Sequence, residues 1–173
     1  MPDRTLPGQV ALVTGGGKRI GRAIALELAR AGADVVVHVN RSTREGGEVV
    51  REIEALGRRA ALVIADQRDV EAIEAACLRA RDQLGTPSIL VNNAAVWPRG
   101  DLARLTVADY DEALDANLRG PFFWVRRLGL WMKEAGRGVI VSLADVTAER
   151  PLSDAIPYCM AKAGIVTMTY GLA

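Results

Sequence analysis

Five short runs of apolar, largely β-branched residues recur along the chain. Longer segments separate them, in which apolar positions return every three or four residues. The runs are VALVT (10–14), DVVVHV (34–39), AALVIA (60–65), SILVN (88–92) and GVIVSL (138–143). Their near-continuous apolar character predicts strands buried on both faces, not strands with one wet side. The segments between predict helices over 18–31, 43–57, 69–83 and 106–134, with a fifth starting near Pro157. Alternation of strand and helix with short links predicts an α/β fold, a doubly wound parallel sheet covered by helices on both faces. No repeat, low-complexity tract or interdomain linker interrupts the pattern.

Local punctuation refines these elements. Ser42 and Glu45 in STRE form a capping-box pattern at the start of the second helix, which Gly46 and Gly47 weaken. Pro157 suits the first turn of the last helix, where a missing N–H is harmless. Pro121 falls inside the 106–134 segment and is expected to kink it. The chain stops at TYGLA without a capping signal, and the 138–143 run is left as an apolar sheet edge. The expectation is a single domain over 1–173 that forms a portion of a longer protein, a partner completing the sheet being the alternative.

Composition narrows the function classes. A chain of 173 residues, 50% hydrophobic and 25% charged, suits one globular domain. Lys and Arg total 22 against 21 Asp and Glu, so the net charge of +1 argues for neither nucleic acid nor an anionic membrane as partner. Cys77 and Cys159 form no metal or redox spacing, and no metal site is expected. MPDRTLPGQV lacks the apolar core of a signal peptide, and no stretch approaches the roughly 20 apolar residues of a membrane span. A cytoplasmic location is the expectation.

VALVTGGGKRIGRAIALELA sets a glycine cluster directly between the first strand and the first helix. Glycines there allow a tight turn and let backbone N–H groups approach a pyrophosphate at the positive end of the helix. The spacing is T-G-x-x-x-R-x-G, which differs from G-x-G-x-x-G. Thr14-Gly15 with Gly21, NNAA after the fourth strand, Asn117, and Tyr158 with Lys162 together resemble the short-chain dehydrogenase/reductase family. The match runs from residue 9 to 170. It implies a Rossmann-type sheet whose C-terminal part is absent from this chain, and a nicotinamide cofactor. Arg19 and Ala95 depart from the family pattern, each standing where a glycine is usual.

The end of the second strand bears on which nicotinamide. A ribose 2′-hydroxyl needs a carboxylate there, and a 2′-phosphate needs cations. HVNRSTRE offers His38, Asn40, Arg41 and Ser42 and no acid near the strand end; Asp34 begins the strand at the opposite edge. Lys18, Arg19 and Arg41 are expected to converge on a phosphate, and the cofactor is expected to be NADPH. Thr14, Gly15, Ile20 and Gly21 complete the turn around it. Asp66 resembles the family acid that binds adenine, with a helix cap before 69–83 as the alternative. Asn92 and Asn93 end the fourth strand at the carboxyl edge, where ligands bind in open α/β sheets.

Tyr158 and Lys162 stand four apart, on one helical face. A phenol with its ordinary pKa near 10 is poorly matched to neutral pH, and an ammonium one turn away is expected to lower it. Lys162 is also expected to hold the nicotinamide ribose while Tyr158 protonates the substrate. Asp145 stands thirteen residues before the tyrosine, where the family usually carries serine. A protonated Asp145 would donate a hydrogen bond and a proton, which suits reduction of C=N. Asp145, Tyr158 and Lys162, with the loop and HVNRS, resemble the pteridine reductase branch, which reduces pterins or folates with NADPH. That likeness implies Trp97 as a stacking partner for a flat substrate, the alternative being a loop tryptophan packed on the surface, and brings Arg19 toward substrate. Asn117 and Pro121 suggest a relay: Pro121 frees the carbonyl four residues back to hold a water linked to Lys162, or the proline merely kinks the helix. A carbonyl or oxoacyl thioester reductase and an inactive cofactor-binding module are the alternative functions. The resemblance also implies a homotetramer or homodimer.

Overall fold

The computed structural model describes residues 5–173; the N-terminal reading over 1–4 lies outside them. Strands β1 (Val10–Thr14), β2 (Asp34–Val39), β3 (Ala60–Ile64), β4 (Ile89–Asn92) and β5 (Val139–Ser142) form one sheet in the order β3-β2-β1-β4-β5. Every pairing is parallel, with Leu12 opposite Val36 on one side and Leu90 on the other. β1 is central because it carries no charge and all five of its residues are buried.

Among the described residues there are six α-helices: α1 (Arg19–Arg30), α2 (Thr43–Ala55), α3 (Val70–Leu84), α4 (Val107–Leu114), α5 (Gly120–Glu134) and α6 (Ile156–Leu172), of which α1 and α2 cover one face of the sheet and α3 and α5 the other. Strand side chains alternate between faces. Ala11, Val13, Val35 and Val37 meet Ala25, Leu26, Val49 and Ile53 of α1 and α2. Leu12, Val36 and Leu90 meet Ile73 and Cys77 of α3 and Trp124 and Leu128 of α5. Cys77 is a core residue whose thiol burial pushes up to about 12. Arg127 of the RRLGLWMK stretch pairs with Glu74 across the α3–α5 contact and lies 5.6 Å from the Trp131 ring centre.

Two local expectations need correction. Ser42 precedes α2 with φ −83° and ψ 51°, outside the extended conformation a capping side chain needs, and it makes no cap hydrogen bond. Glu45 pairs with Lys18 at 3.0 Å instead. The capping box of this chain is at α4, where Thr106 and Asp109 exchange hydrogen bonds. The 106–134 segment is not one kinked helix. Pro121 has no N–H to return to residue 117, and ahead of it the ladder slips into a wide turn over Asp115–Arg119, in which the Gly120 N–H reaches the Asp115 carbonyl five residues back.

β5 lies at the sheet edge, as expected, but it is not buried on both faces as its apolar run predicts: Val139 is 57% and Val141 48% exposed. No helix among the described residues is long and apolar enough to cross a membrane.

Candidate active site

The chain runs outward from β1 to β3, then crosses back to β4 on the other side of β1. Strand order therefore reverses beside β1, and the carboxyl ends of β1 and β4 diverge to leave a crevice. A cleft of about 900 Å³ opens there, walled by the glycine turn, residues 38–42, residues 66–68, residues 93–97 and Tyr158.

The glycine turn is held by steric need and by hydrogen bonds. Gly15 has φ +65°, and a Cβ on Gly21 would lie 2.2 Å from the Gly15 carbonyl oxygen. Arg19 has φ +49° and is the sole non-glycine residue in that region among those described. The arginine thus adopts a left-handed conformation that favours glycine, at about 1 kcal/mol or more of strain. Ala95 has no positive φ, so its own departure is conformationally neutral. Thr14 Oγ accepts the N–H groups of Asn93 (2.9 Å) and Ala94 (3.0 Å) and donates to the Val91 carbonyl. Asn93 Nδ2 donates to the Thr14 carbonyl at 2.8 Å.

Several expected cofactor contacts are therefore fasteners. Thr14 is buried with its hydroxyl fully engaged, and Asn92 points away from the cleft to donate to Ser142 Oγ at 3.2 Å. His38 is buried beneath the turn: its Nδ1 accepts the Gly15 N–H at 3.3 Å, and its Nε2 bonds the Ala65 carbonyl at 3.0 Å. Burial pushes its pKa down to about 4, so the ring is neutral. Gly15, Lys18, Arg19, Ile20, Gly21, Asn40, Arg41 and Ser42 do line the cleft.

Charge at the rim fits a phosphorylated dinucleotide. α1 starts with no side-chain cap, so its first N–H groups are available to an anion. Lys18 is engaged by Glu45, while Arg19 and Arg41 have no carboxylate partner among the described residues. Asp66 is neutralised by Arg68, whose guanidinium lies 2.6 Å away and draws the acid down to about 2. Asp66 is not the α3 cap; that is Asp69, which accepts from the Glu71 and Ala72 N–H groups. With no unpaired acid at the end of β2, the rim suits a ribose 2′-phosphate and offers nothing to replace it for a 2′-hydroxyl. These residues match what NADP(H) requires.

Tyr158 lines the cleft, and Asp145 and Lys162 gather around it outside the cleft lining. The Tyr158 hydroxyl donates to Asp145 Oδ2 at 3.0 Å, and the Thr147 N–H donates to Oδ1 at 2.9 Å. Lys162 Nζ donates to the Leu143 carbonyl at 2.7 Å and lies 5.6 Å from the Tyr158 ring centre. The indole of Trp97 is stacked on the Tyr158 ring, centroids 5.6 Å apart and planes 18° from parallel. The Arg99 guanidinium lies 5.7 Å from the centre of that indole and pairs with Asp154, while the Gly100 N–H bonds the Asp154 carbonyl at 2.8 Å.

Two electrostatic expectations reverse. Burial, and then the Asp145 carboxylate, push the Tyr158 phenol up to about 12, where a downward shift from Lys162 was expected. Asp145 is held below the ordinary carboxylate range, chiefly by the Thr147 N–H, with the Tyr158 hydroxyl and the Lys162 charge adding. The acid is thus an acceptor at neutral pH, and Tyr158 is the group that keeps a proton to give. Burial lowers Lys162, opposed by Asp145.

Family comparison agrees with the geometry. The model described as short chain dehydrogenase matches residues 9–173. The chain belongs to the short-chain dehydrogenase/reductase family. It is 40% identical over 137 residues to the short chain dehydrogenase/reductase AacuN of Aspergillus aculeatus, covering 79% of this chain and 52% of that protein. It is 37% identical to the hydroxynaphthalene reductase arp2 of Aspergillus fumigatus, covering 79% and 50%. Among solved structures it resembles a short chain dehydrogenase from Burkholderia cenocepacia in complex with NADP. That match has TM-score 0.89 and 38% identity over 97% of this chain and 68% of the other. The chain spans about half the length of the curated relatives it matches.

Asn117, a member of the family motif and expected to serve a relay through its main-chain carbonyl, has its side chain engaged elsewhere. Its Oδ1 accepts the Val96 N–H at 3.0 Å, and its Nδ2 donates to the carbonyls of Val96 and Ala113. The side chain fixes the strap that carries Trp97, and only its main-chain carbonyl remains for a relay. Gln67 and the Arg99–Asp154 clasp were missed in the sequence. Gln67 lines the cleft and ties Ala94 to Ala116 through Nε2. Arg68, two residues from Asp66, was findable as a local pair; Arg99 and Asp154 are 55 residues apart and carry no sequence signal.

Proposed function

We propose that this chain carries the cofactor site and catalytic side chains of an NADPH-dependent reductase acting on the C=N bond of a flat nitrogen heterocycle of the dihydropterin type. The observation that carries this reading is the Tyr158–Asp145 hydrogen bond beneath the Trp97 stack. The cofactor supplies a hydride to the substrate carbon. Tyr158, held protonated, delivers the proton to the adjoining nitrogen, and the buried Lys162 ammonium stabilises the phenolate left behind. Asp145, an ionised carboxylate, repels the oxyanion that forms when a ketone is reduced. It attracts the N–H groups of an aminopyrimidine ring, each oxygen keeping a lone pair beyond its bonds to Thr147 and Tyr158. Trp97, which lines the cleft and is more than half exposed, offers aromatic surface for such a ring.

Carbonyl reduction is the second reading, favoured by the 37% identity to a hydroxynaphthalene reductase, whose name also denotes a flat bicyclic substrate. NADPH oxidation by the intact protein, followed with dihydrobiopterin, dihydrofolate and bicyclic ketones, separates the two. Turnover of the dihydropterins, with at least a tenfold loss in Asp145→Ser, is the expected result. Faster turnover of ketones, kept or improved by Asp145→Ser, sinks the pterin reading in favour of carbonyl reduction. Cofactor binding without turnover of any of these substrates leaves a cofactor-binding module.

A further inference from the structure

We infer that His38 is a positioning residue for the cofactor: its neutral imidazole presets the glycine turn by accepting the Gly15 N–H while anchored to the Ala65 carbonyl. The residue borders the cleft, but at 1% exposure it acts by holding the turn and offers almost no surface to a ligand. It sits on β2 directly beneath the turn and reaches both neighbours of that strand. Nδ1 faces the end of β1 and Nε2 faces the end of β3. A backbone N–H can only donate and a carbonyl can only accept. Both bonds therefore exist together in one form of the ring, neutral with hydrogen on Nε2.

The main chain of the same residue adds to the hold, because the His38 carbonyl accepts the Gly16 N–H at 2.9 Å. Two successive N–H groups of the turn are thus tied to one residue of β2. The Trp124 ring packs edge-on against the imidazole, 5.0 Å between centres, and closes the remaining side. Asp66 is the charged group acting on the ring, and Arg68 already neutralises that acid. Gly15, at φ +65°, is the residue whose geometry lets the turn double back on Gly21, so its orientation sets the direction of the N–H groups that follow. A turn fixed before the cofactor arrives loses less conformational freedom on binding.

Two substitutions divide the ring into its two functions. His38→Asn keeps an acceptor near the Nδ1 position and loses the reach to Ala65. His38→Gln keeps a donor near the Nε2 position and loses the acceptor for Gly15. Measured on the intact protein, His38→Gln is expected to raise the Kd for NADPH roughly tenfold with little change in Tm. His38→Asn is expected to lower Tm while leaving that Kd within about threefold of the parent. Equal Kd changes in the two variants, or changes that follow Tm alone, overturn the proposal and leave His38 a core residue. A second measurement needs no variant. His38 is the sole histidine in these 173 residues, so a two-bond proton–nitrogen spectrum of this chain reads its tautomer directly. The form protonated on Nε2 is expected, and a ring protonated on Nδ1 overturns the proposal because Gly15 could then not donate to it.

Discussion

At β1 and β2 every residue is buried, whereas β5 leaves Val139 and Val141 about half exposed. The same contrast separates the two walls of the cleft. On the glycine-turn side the holding forces are backbone hydrogen bonds, a buried neutral ring and the absence of a Cβ at Gly21. On the catalytic side they are a phenol, a carboxylate and an ammonium, and the carboxylate acts on the proton affinity of both the others. Binding geometry is thus built from the main chain and one neutral ring, and chemistry from ionisable side chains whose proton affinities are shifted by burial and by Asp145. The two walls should fail independently.

Tyr158→Phe tests the catalytic wall and has the largest expected effect. Loss of the proton donor should lower kcat/KM by roughly 10²- to 10⁴-fold. The NADPH Kd, read by fluorescence titration, should stay within a few-fold, because the turn has no bond to the phenol. Loss of cofactor affinity of the same size would show that the walls are one unit.

Gly21→Ala tests the other wall. The added Cβ would sit 2.2 Å from the Gly15 carbonyl oxygen and 2.5 Å from Asn93 Nδ2, and at least the former is backbone that must shift. A cost of about 3 kcal/mol in stability is expected, with cofactor binding lost beyond detection. Denaturant unfolding and the same titration check both. An unaltered Kd would mean the turn can re-form around the methyl group.

Acid separates the walls next. The folded pKa of His38 is about 4 against an ordinary 6.5, so the folded state disfavours the protonated ring. Its contribution is complete above pH 6.5 and is lost as pH falls through about 4, amounting to about 3 kcal/mol. Unfolding midpoints between pH 7 and pH 4 should therefore fall more steeply for the parent than for His38→Gln. Parallel curves would mean the ring is protonated in the fold.

What the sequence made legible follows the same divide. Strand–helix alternation, the glycine turn, and the union of Asp145, Tyr158 and Lys162 could be read because periodicity and motif spacing survive in one dimension. The role of Thr14 could not, since its hydroxyl meets Asn93 and Ala94 across 79 and 80 residues. The direction of the Tyr158 shift was misread for a related reason. Spacing revealed the lysine one turn away but not that Asp145 is the nearer charge, 3.0 Å from the hydroxyl. Lys18 was assigned to phosphate because its partner Glu45 lies on another helix.

Arg19 is where the contrast between the walls is finest, because one residue holds both kinds of property. Its backbone, at φ +49°, belongs to the turn, and its guanidinium belongs to the cofactor rim. Arg19→Gly relieves the left-handed strain but raises the freedom of the unfolded chain, so the two effects should cancel to within about 1 kcal/mol. Arg19→Ala keeps the strain and should be the less stable variant by about 1 kcal/mol. Both remove the same charge, and both should lower the preference for NADPH over NADH by a similar factor, on the order of tenfold. Rates with each cofactor, set beside Tm for the two variants, divide conformation from charge. If the alanine variant alone lost the preference, the conformation of the turn and not the guanidinium would select the phosphate, and the separation of the two walls would end at this residue.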